Sequence, residues 1–231
     1  MSIEMTYELG EYRIETIVTD EPWCENCYLV KHVLTGDQVL IDPGDSAELI
    51  IKTVREQKGE LKKILITHAH HDHVGAVSEL HKYYGVPCYL HKADARLMRQ
   101  AHTYRLVFDN RKIEPFASAS LLDEEKTLDV EGGKIDVIHS PGHTKGSACY
   151  SFGDFVFTGD TVLYKHIGRT DTPGGDKENL VSSVSRLMEQ LPEDALLLPG
   201  HGRSWTTKDA RIWWKGALLS PPQYMSFEKI L

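Results

Sequence analysis

The chain has 231 residues, 41% of them hydrophobic, and a formal net charge of −8 at pH 7. That length and apolar content can bury a substantial core, the negative balance argues against a broad basic surface for nucleic acid, and no stretch approaches the ~20 apolar residues of a membrane span. Residues 1–12 carry Glu4, Glu8 and Glu11 and no apolar signal core, so a cytoplasmic protein without membrane or nucleic-acid partners is expected.

In chain order, the first motif is Cys24-Glu25-Asn26-Cys27, which runs into the strand-like Tyr28-Leu29-Val30. A lone CxxC without a partner pair is weak evidence for metal. With Cys88 and Cys149, in a chain lacking a secretion signal, it reads as half-buried core thiols rather than a disulfide framework. Short apolar runs bounded by turn residues follow at 39–41, 63–66, 87–90 and 195–198, as expected of strands buried inside a sheet. Helical spacing is expected over Ala47–Glu56, 74–84, 93–101 and Lys177–Gln190, the last with Leu180, Val181, Val184, Leu187 and Met188 on one face. Between 128 and 157 the texture changes to strands without helices, at 128–130, 134–139, Ala148–Phe152 and 154–157, with Gly153 turning between the last two. The segment 206–211 opens a terminal helix whose Trp213 and Trp214 read as residues covering the core. The mixture is that of an α/β protein.

The densest chemistry lies in Thr67-His68-Ala69-His70-His71-Asp72-His73, directly after the apolar run Ile64-Leu65-Ile66. Neutral imidazole and ionised carboxylate are ordinary ligands of zinc and its neighbours. On an extended backbone His68 and His70 point to the same side. Asp72 and His73 fall at the first turn of a helix and point to an adjacent position, which suggests a second ion. Three later Gly-containing turns each end a strand and present one further ligand: His143 in Ser140-Pro141-Gly142-His143-Thr144, Asp160 in Phe157-Thr158-Gly159-Asp160-Thr161, and His201 in Leu198-Pro199-Gly200-His201-Gly202. Because His68 to His201 must converge on one point, 1–231 is expected to be a single domain with a short helical tail.

With these residues in view, the chain resembles the metallo-β-lactamase-fold hydrolases, and within them the compact glyoxalase II-like (hydroxyacylglutathione hydrolase-like) group. The His-Xaa-His-Xaa-Asp-His signature is matched by His68 through His73, and the later histidine, aspartate and histidine by His143, Asp160 and His201. The resemblance implies a four-layer αβ/βα sandwich. It implies that His68, His70 and His143 hold one ion, that Asp72, His73 and His201 hold another, and that Asp160 bridges them. Asp42, in Leu40-Ile41-Asp42-Pro43-Gly44, matches an early strand-end aspartate expected to support the ligands from behind. His71 sits at the signature's variable position and is read as a partly exposed or hydrogen-bonded histidine.

Two divalent ions, zinc foremost and iron or manganese as other occupants, would lower the pKa of a water between them and supply hydroxide as nucleophile, with Asp72 and Asp160 in the catalytic set. A thioester suits such a site because thiolate leaves with little proton assistance. The leading expectation is hydrolysis of a small-molecule thioester of the S-lactoylglutathione type. Arg169, in Ile167-Gly168-Arg169-Thr170-Asp171, is read either as a contact for an anionic substrate group or as an internal partner of Asp171. The 30 residues after His201 (231 − 201) are too few for the helical domain that completes the glutathione site of longer glyoxalase II enzymes. Alternatives are a mononuclear iron persulfide dioxygenase using His68, His143 and Asp160, a lactonase or other ester hydrolase, and a non-catalytic metal-binding module. A homo-oligomer is left open.

Overall fold

The computed structural model describes residues 3–19, 21–123, 126–130 and 133–219. Two sheets form its centre. The first takes its strands in chain order: β1 (Ile3–Leu9), β2 (Tyr12–Val18), β3 (Asn26–His32), β4 (Asp37–Ile41), β5 (Glu60–Leu65), β6 (Cys88–His91) and β7 (Ser120–Leu122). β1 to β4 pair antiparallel, and β4 to β7 parallel. The second sheet contains β8 (Thr127–Val130), β9 (Gly133–His139), β10 (Ala148–Phe152), β11 (Phe155–Gly159), β14 (Leu196–Pro199) and β15 (Trp205–Thr206), in the order β15-β14-β11-β10-β9-β8. A small hairpin, β12 (Val162–Leu163) and β13 (His166–Ile167), follows β11. The helices are α1 (Ala47–Glu56), α2 (His71–Val74), α3 (Val77–Tyr84), α4 (Ala95–Asp109), α5 (Lys177–Gln190) and α6 (Thr207–Leu219).

The period-2 geometry of the strands sorts their side chains into three cores. Val39 and Ile41 of β4 face inward with Leu65, against Tyr150, Phe155, Phe157 and Leu198 of the second sheet. Leu40 and Ile64 face the other way, onto Val54, Leu80 and Met98 of α1, α3 and α4. Cys149, Val156 and Leu197 likewise face Val184, Leu187 and Trp214 of α5 and α6. The layers are therefore helix, sheet, sheet, helix, as the resemblance implies. Strands covered on both faces explain why the apolar runs are continuous rather than alternating.

Several expected boundaries move. The helix expected over 74–84 is two helices, because the Ala76 N–H leaves the helical pattern and donates to Pro43 O (3.0 Å). The one expected over 93–101 continues to Asp109: Arg105, 1% exposed, is buried beside Asp45 and Asp109, and a buried arginine hides the apolar period that would have extended the reading. The hairpin β1–β2 adds two strands to those expected. The end of the expected terminal tail, 220–231, lies outside the described residues. Among the described residues no helix is long and apolar enough to cross a membrane.

Phe157 stands at the centre of the inter-sheet core, 1% exposed and edge-on to Tyr28 (5.1 Å between centroids) and Phe152 (5.6 Å). Phe157→Ala is expected to cost about 3–5 kcal/mol, read from the urea midpoint; a loss below about 1 kcal/mol would show that this layer can collapse around the cavity.

Candidate metal centre

The parallel strands β4 and β5 of one sheet, and β11 and β14 of the other, all end on the same edge of the sandwich, the usual place for a site in parallel sheets. Asp42, Thr67, Asp160 and His201 follow those ends. The edges of the two sheets are stitched together by Ala148 N donating to Thr67 O (2.9 Å) and Asn26 N to Gly200 O (2.8 Å), while within the second sheet Gly200 N donates to Gly159 O (2.8 Å). Asp42 has φ +48°, a conformation that aspartate tolerates better than most residues. It is held there because its carboxylate accepts from Thr67 N (2.7 Å), Thr67 Oγ1 (2.5 Å) and His73 Nδ1 (3.0 Å).

The second nitrogen of each ring decides what the first can do. His143 Nδ1 donates to the Arg169 carbonyl (2.8 Å) and His201 Nδ1 to the Trp23 carbonyl (3.0 Å). His73 Nδ1 donates to Asp42. His68 Nδ1 lies 3.1 Å from Thr67 Oγ1, whose only proton goes to Asp42, so here too Nδ1 is the donor. In the neutral rings every Nε2 then carries a lone pair. Those atoms meet in pairs, His68 with His143 at 3.1 Å and His73 with His201 at 3.3 Å. Lone pairs at that separation repel, so each pair calls for a positive charge between its members, either a proton or a metal ion.

The acids complete two sets. Asp72 Oδ2 lies 3.3 Å from His201 Nε2 and 3.9 Å from His73 Nε2. Asp160 reaches both pairs: Oδ2 is 3.6 Å from His143 Nε2 and 3.8 Å from His201 Nε2, and Oδ1 is 3.6 Å from His73 Nε2. His70 stands edge-on to His68 and His143, with centroids 4.8 and 4.5 Å away. His70 Nε2 and Asp160 Oδ1 are buried without a hydrogen-bond partner. Ligand atoms of His68, His70 and His143, and of Asp72, His73 and His201, lie within 4.8 Å of one another. Asp42 also groups with His68 and His73, but Thr67 and His73 already occupy both its oxygens. The donor sets fit divalent ions, and imidazole with carboxylate suits zinc, iron and manganese alike.

Other residues shape the site without any motif to announce them. Asp94, 1% exposed, accepts from Ala69 N (3.0 Å), Thr144 Oγ1 (2.7 Å) and Gly146 N (2.7 Å), tying the loop of His68 and His70 to that of His143. Asn26 Nδ2 donates to Pro199 O (2.9 Å) and Gly202 O (2.8 Å), clamping the turn that presents His201. A Cβ on Gly200 would lie 2.5 Å from both Asp160 Oδ1 and His73 Cε1, so only glycine lets that turn approach so closely. Glu25 is fully buried beside His73, and burial pushes its carboxyl well above the usual range, with His73 opposing and Asp42, Asp72 and Asp160 reinforcing.

Some readings need correction. His71 belongs to neither donor set, as expected, but it is neither exposed nor hydrogen-bonded at Nδ1: it is buried, edge-on to Trp23 (4.9 Å) and stacked on Phe108 (5.5 Å), where packing replaces polar partners. Of the CxxC pair only Cys27 is core; Cys24 is exposed at φ +47°. Arg169 forks the Asp171 carboxylate with two 2.8 Å bonds, while its carbonyl orients His143. Trp214 is buried as expected, its Nε1 donating to Ser185 Oγ (3.2 Å).

Electrostatics divides the two sets. Burial, reinforced by neighbouring imidazoles, holds His68 and His70 well below the ordinary imidazole value; His143 is also lowered by burial, against Asp160. Burial acts in the same sense on His73 and His201, yet Asp160 and Asp72 outweigh it and raise both. Protons and metal compete for the same Nε2 lone pairs, and a raised pKa makes the proton the stronger competitor. On stepwise acidification of metal-loaded protein, the ion on Asp72, His73 and His201 is therefore expected to leave at a higher pH than the one on His68, His70 and His143. Elemental analysis after desalting at each pH checks this; simultaneous loss of both ions would contradict it.

The chain is similar to known proteins. The pattern of the Metallo-beta-lactamase superfamily matches residues 22–201. The hydroxyacylglutathione hydrolase GloC of Haemophilus influenzae is 35% identical over 187 residues, covering 79% of this chain and 87% of that one. Among solved structures, the BLEG-1 B3 metallo-beta-lactamase is 31% identical with a TM-score of 0.79, covering 84% of this chain and 94% of its own. TTHA1623, solved in a di-iron-bound form, is 35% identical with a TM-score of 0.74, covering 84% and 96%. The fold, the two donor sets on its strand ends and these likenesses place the chain in the metallo-beta-lactamase superfamily.

Proposed function

We propose that the protein is a binuclear metallohydrolase that cleaves a small-molecule thioester of the hydroxyacylglutathione type. The observation that carries this reading is the pair of facing imidazole couples, His68 with His143 and His73 with His201, with Asp160 reaching both. His68, His70 and His143 would hold one ion, Asp72, His73 and His201 the other, and Asp160 would bridge them; zinc is the first choice and iron or manganese the alternatives. The likeness to GloC supports the thioester, and the likeness to the di-iron form of TTHA1623 supports two ions. Four cysteines outside any disulfide suit a cytoplasmic setting, and the net charge of −8 suits a small substrate better than nucleic acid.

When bound, a pair of divalent cations lowers the pKa of water held between them and polarises a carbonyl. The chain's own part is orientation. Asp160 Oδ1, buried and without a protein partner, accepts a hydrogen bond from the attacking water and aims it. Asp72 keeps His201 and His73 in register, and the Nδ1–H bonds to Asp42, Arg169 O and Trp23 O stop the rings from turning away. The leaving thiolate needs little proton assistance, which agrees with a site that offers no dedicated acid among these residues. Arg169 is the cation we assign to a substrate carboxylate, exchanging its fork from Asp171 to the ligand.

The mononuclear dioxygenase reading would use His68, His143 and Asp160 and leave the convergence of Asp72, His73 and His201 without a purpose. Anaerobic thiol release from S-lactoylglutathione tests the choice: chelation is expected to abolish it, metal to restore it, and Asp160→Asn to lower kcat/KM by about 100-fold or more. Oxygen uptake with glutathione persulfide and one iron per chain would replace the hydrolase. Arg169→Ala is expected to raise KM for glutathione thioesters about tenfold and to leave that for small neutral thioesters unchanged; equal effects would return Arg169 to ordering its loop.

A further inference from the structure

Glu25 is 0% exposed, and neither of its carboxyl oxygens has a hydrogen-bond partner. Its backbone is spoken for: the N–H donates to Thr19 Oγ1 (3.1 Å), the carbonyl accepts from Thr19 N (2.8 Å), and the residue bridges antiparallel to His201. The side chain turns the other way, with Oε1 4.0 Å from His73 Nδ1. Oε2 fills space that only a glycine at position 44 leaves, since a Cβ there would lie 2.6 Å away. One residue thus stands against both histidines of the second donor set, paired with His201 in the backbone bridge and facing His73 with its side chain, and meets none of His68, His70 and His143 in any contact described.

A carboxyl buried with no hydrogen bond at either oxygen is costly. A leucine or methionine would fill the same volume without that cost. The arrangement becomes favourable when strong positive charge sits on the far side of the His73 ring, where an attraction across a water-free interior falls off slowly. Asp42 supports both donor sets, through Thr67 and His68 on one side and His73 on the other; Glu25 faces the second alone.

Resting on the two-ion reading above, we propose that Glu25 is a positioning residue specific to the second ion: its carboxyl, set behind His73 and bridged to His201, gives the Asp72–His73–His201 set its affinity and so decides whether the chain holds two ions or one.

The test compares the wild type with Glu25→Gln, which keeps the shape but cannot ionise, and Glu25→Asp, which keeps a carboxyl. Metal-free protein is titrated with Zn²⁺ by calorimetry, with elemental analysis of the product and thermal melts of the metal-free forms. Glu25→Gln is expected to bind the first ion with unchanged Kd and the second about 10–100-fold more weakly, while Glu25→Asp recovers most of the second ion's affinity. The metal-free Glu25→Gln protein is expected to melt no lower than the metal-free wild type, because it exchanges one buried polar group without a hydrogen bond for another of the same shape and removes an acid from among Asp42, Asp72 and Asp160. Equal Kd values for both ions in Glu25→Gln and wild type would overturn the proposal. So would a parallel weakening of both ions with a lowered metal-free Tm, the mark of a merely structural residue. A wild type that takes up one ion only overturns the two-ion reading and the proposal together, whereas two ions without thioester turnover removes the substrate reading and leaves the Kd comparison to decide on Glu25.

Discussion

Four imidazole Nε2 atoms directed at one small volume is an arrangement that folding by itself opposes, since their lone pairs repel and burial denies them water. In this protein the arrangement is enforced from behind. Asp42, Thr67, the Arg169 carbonyl and the Trp23 carbonyl each take up an Nδ1 and thereby fix which nitrogen faces inward. The facing distances of 3.1 and 3.3 Å are the cost of that enforcement, and on the reading we propose a divalent cation held by each couple would turn it into a gain. The hydrolytic chemistry we propose depends on this one constraint.

The layered architecture makes the constraint possible. Side chains held to a few tenths of an ångström have to be carried by rigid elements, and here every ligand follows a strand end or opens a helix whose opposite face is packed. Val39, Ile41 and Leu65 anchor β4 and β5 in the inter-sheet core; Leu180 and Val184 of α5 press on the outer face of the second sheet. Across the edge the two sheets share direct hydrogen bonds, and Asp94 joins two ligand loops that come from different sheets. Together with the Ala148 N bond to Thr67 O, that joining holds the loops of the first donor set to one another.

The two donor sets are not equivalent. His68, His70 and His143 form a neutral, fully nitrogenous pocket held low in basicity by burial, whereas His73 and His201 are raised by Asp72 and Asp160. On the two-ion reading we propose, such asymmetry would suit ions with different tasks, one among imidazoles and one in a more anionic setting. The Arg169 to Asp171 segment lies beside the first set, with its carbonyl on His143, so the loop offered to the substrate also holds a ligand in place.

The sequence by itself singled out seven side chains of metal-ligating type, which the fold brings to one edge, and the doubly covered strands. Imidazole and carboxylate chemistry belongs to the residue, the His68 to His73 spacing is local, and burial on both faces writes itself as an unbroken apolar run at 39–41 or 195–198. Helix limits were legible where one face alternates cleanly, as in Ala47–Glu56 and Lys177–Gln190, and not in α4, where a buried Arg105 masks the period. What only the tertiary structure decided is which groups stand behind the donors: Asp94, Asn26, Glu25 and the two carbonyls reach their partners across many intervening residues, His201 from Trp23 and His143 from Arg169. A hydrogen bond between distant residues leaves no period and no spacing in the chain, and a backbone carbonyl carries no residue identity at all, so the tautomers that define the site exist only once the two sheets have met.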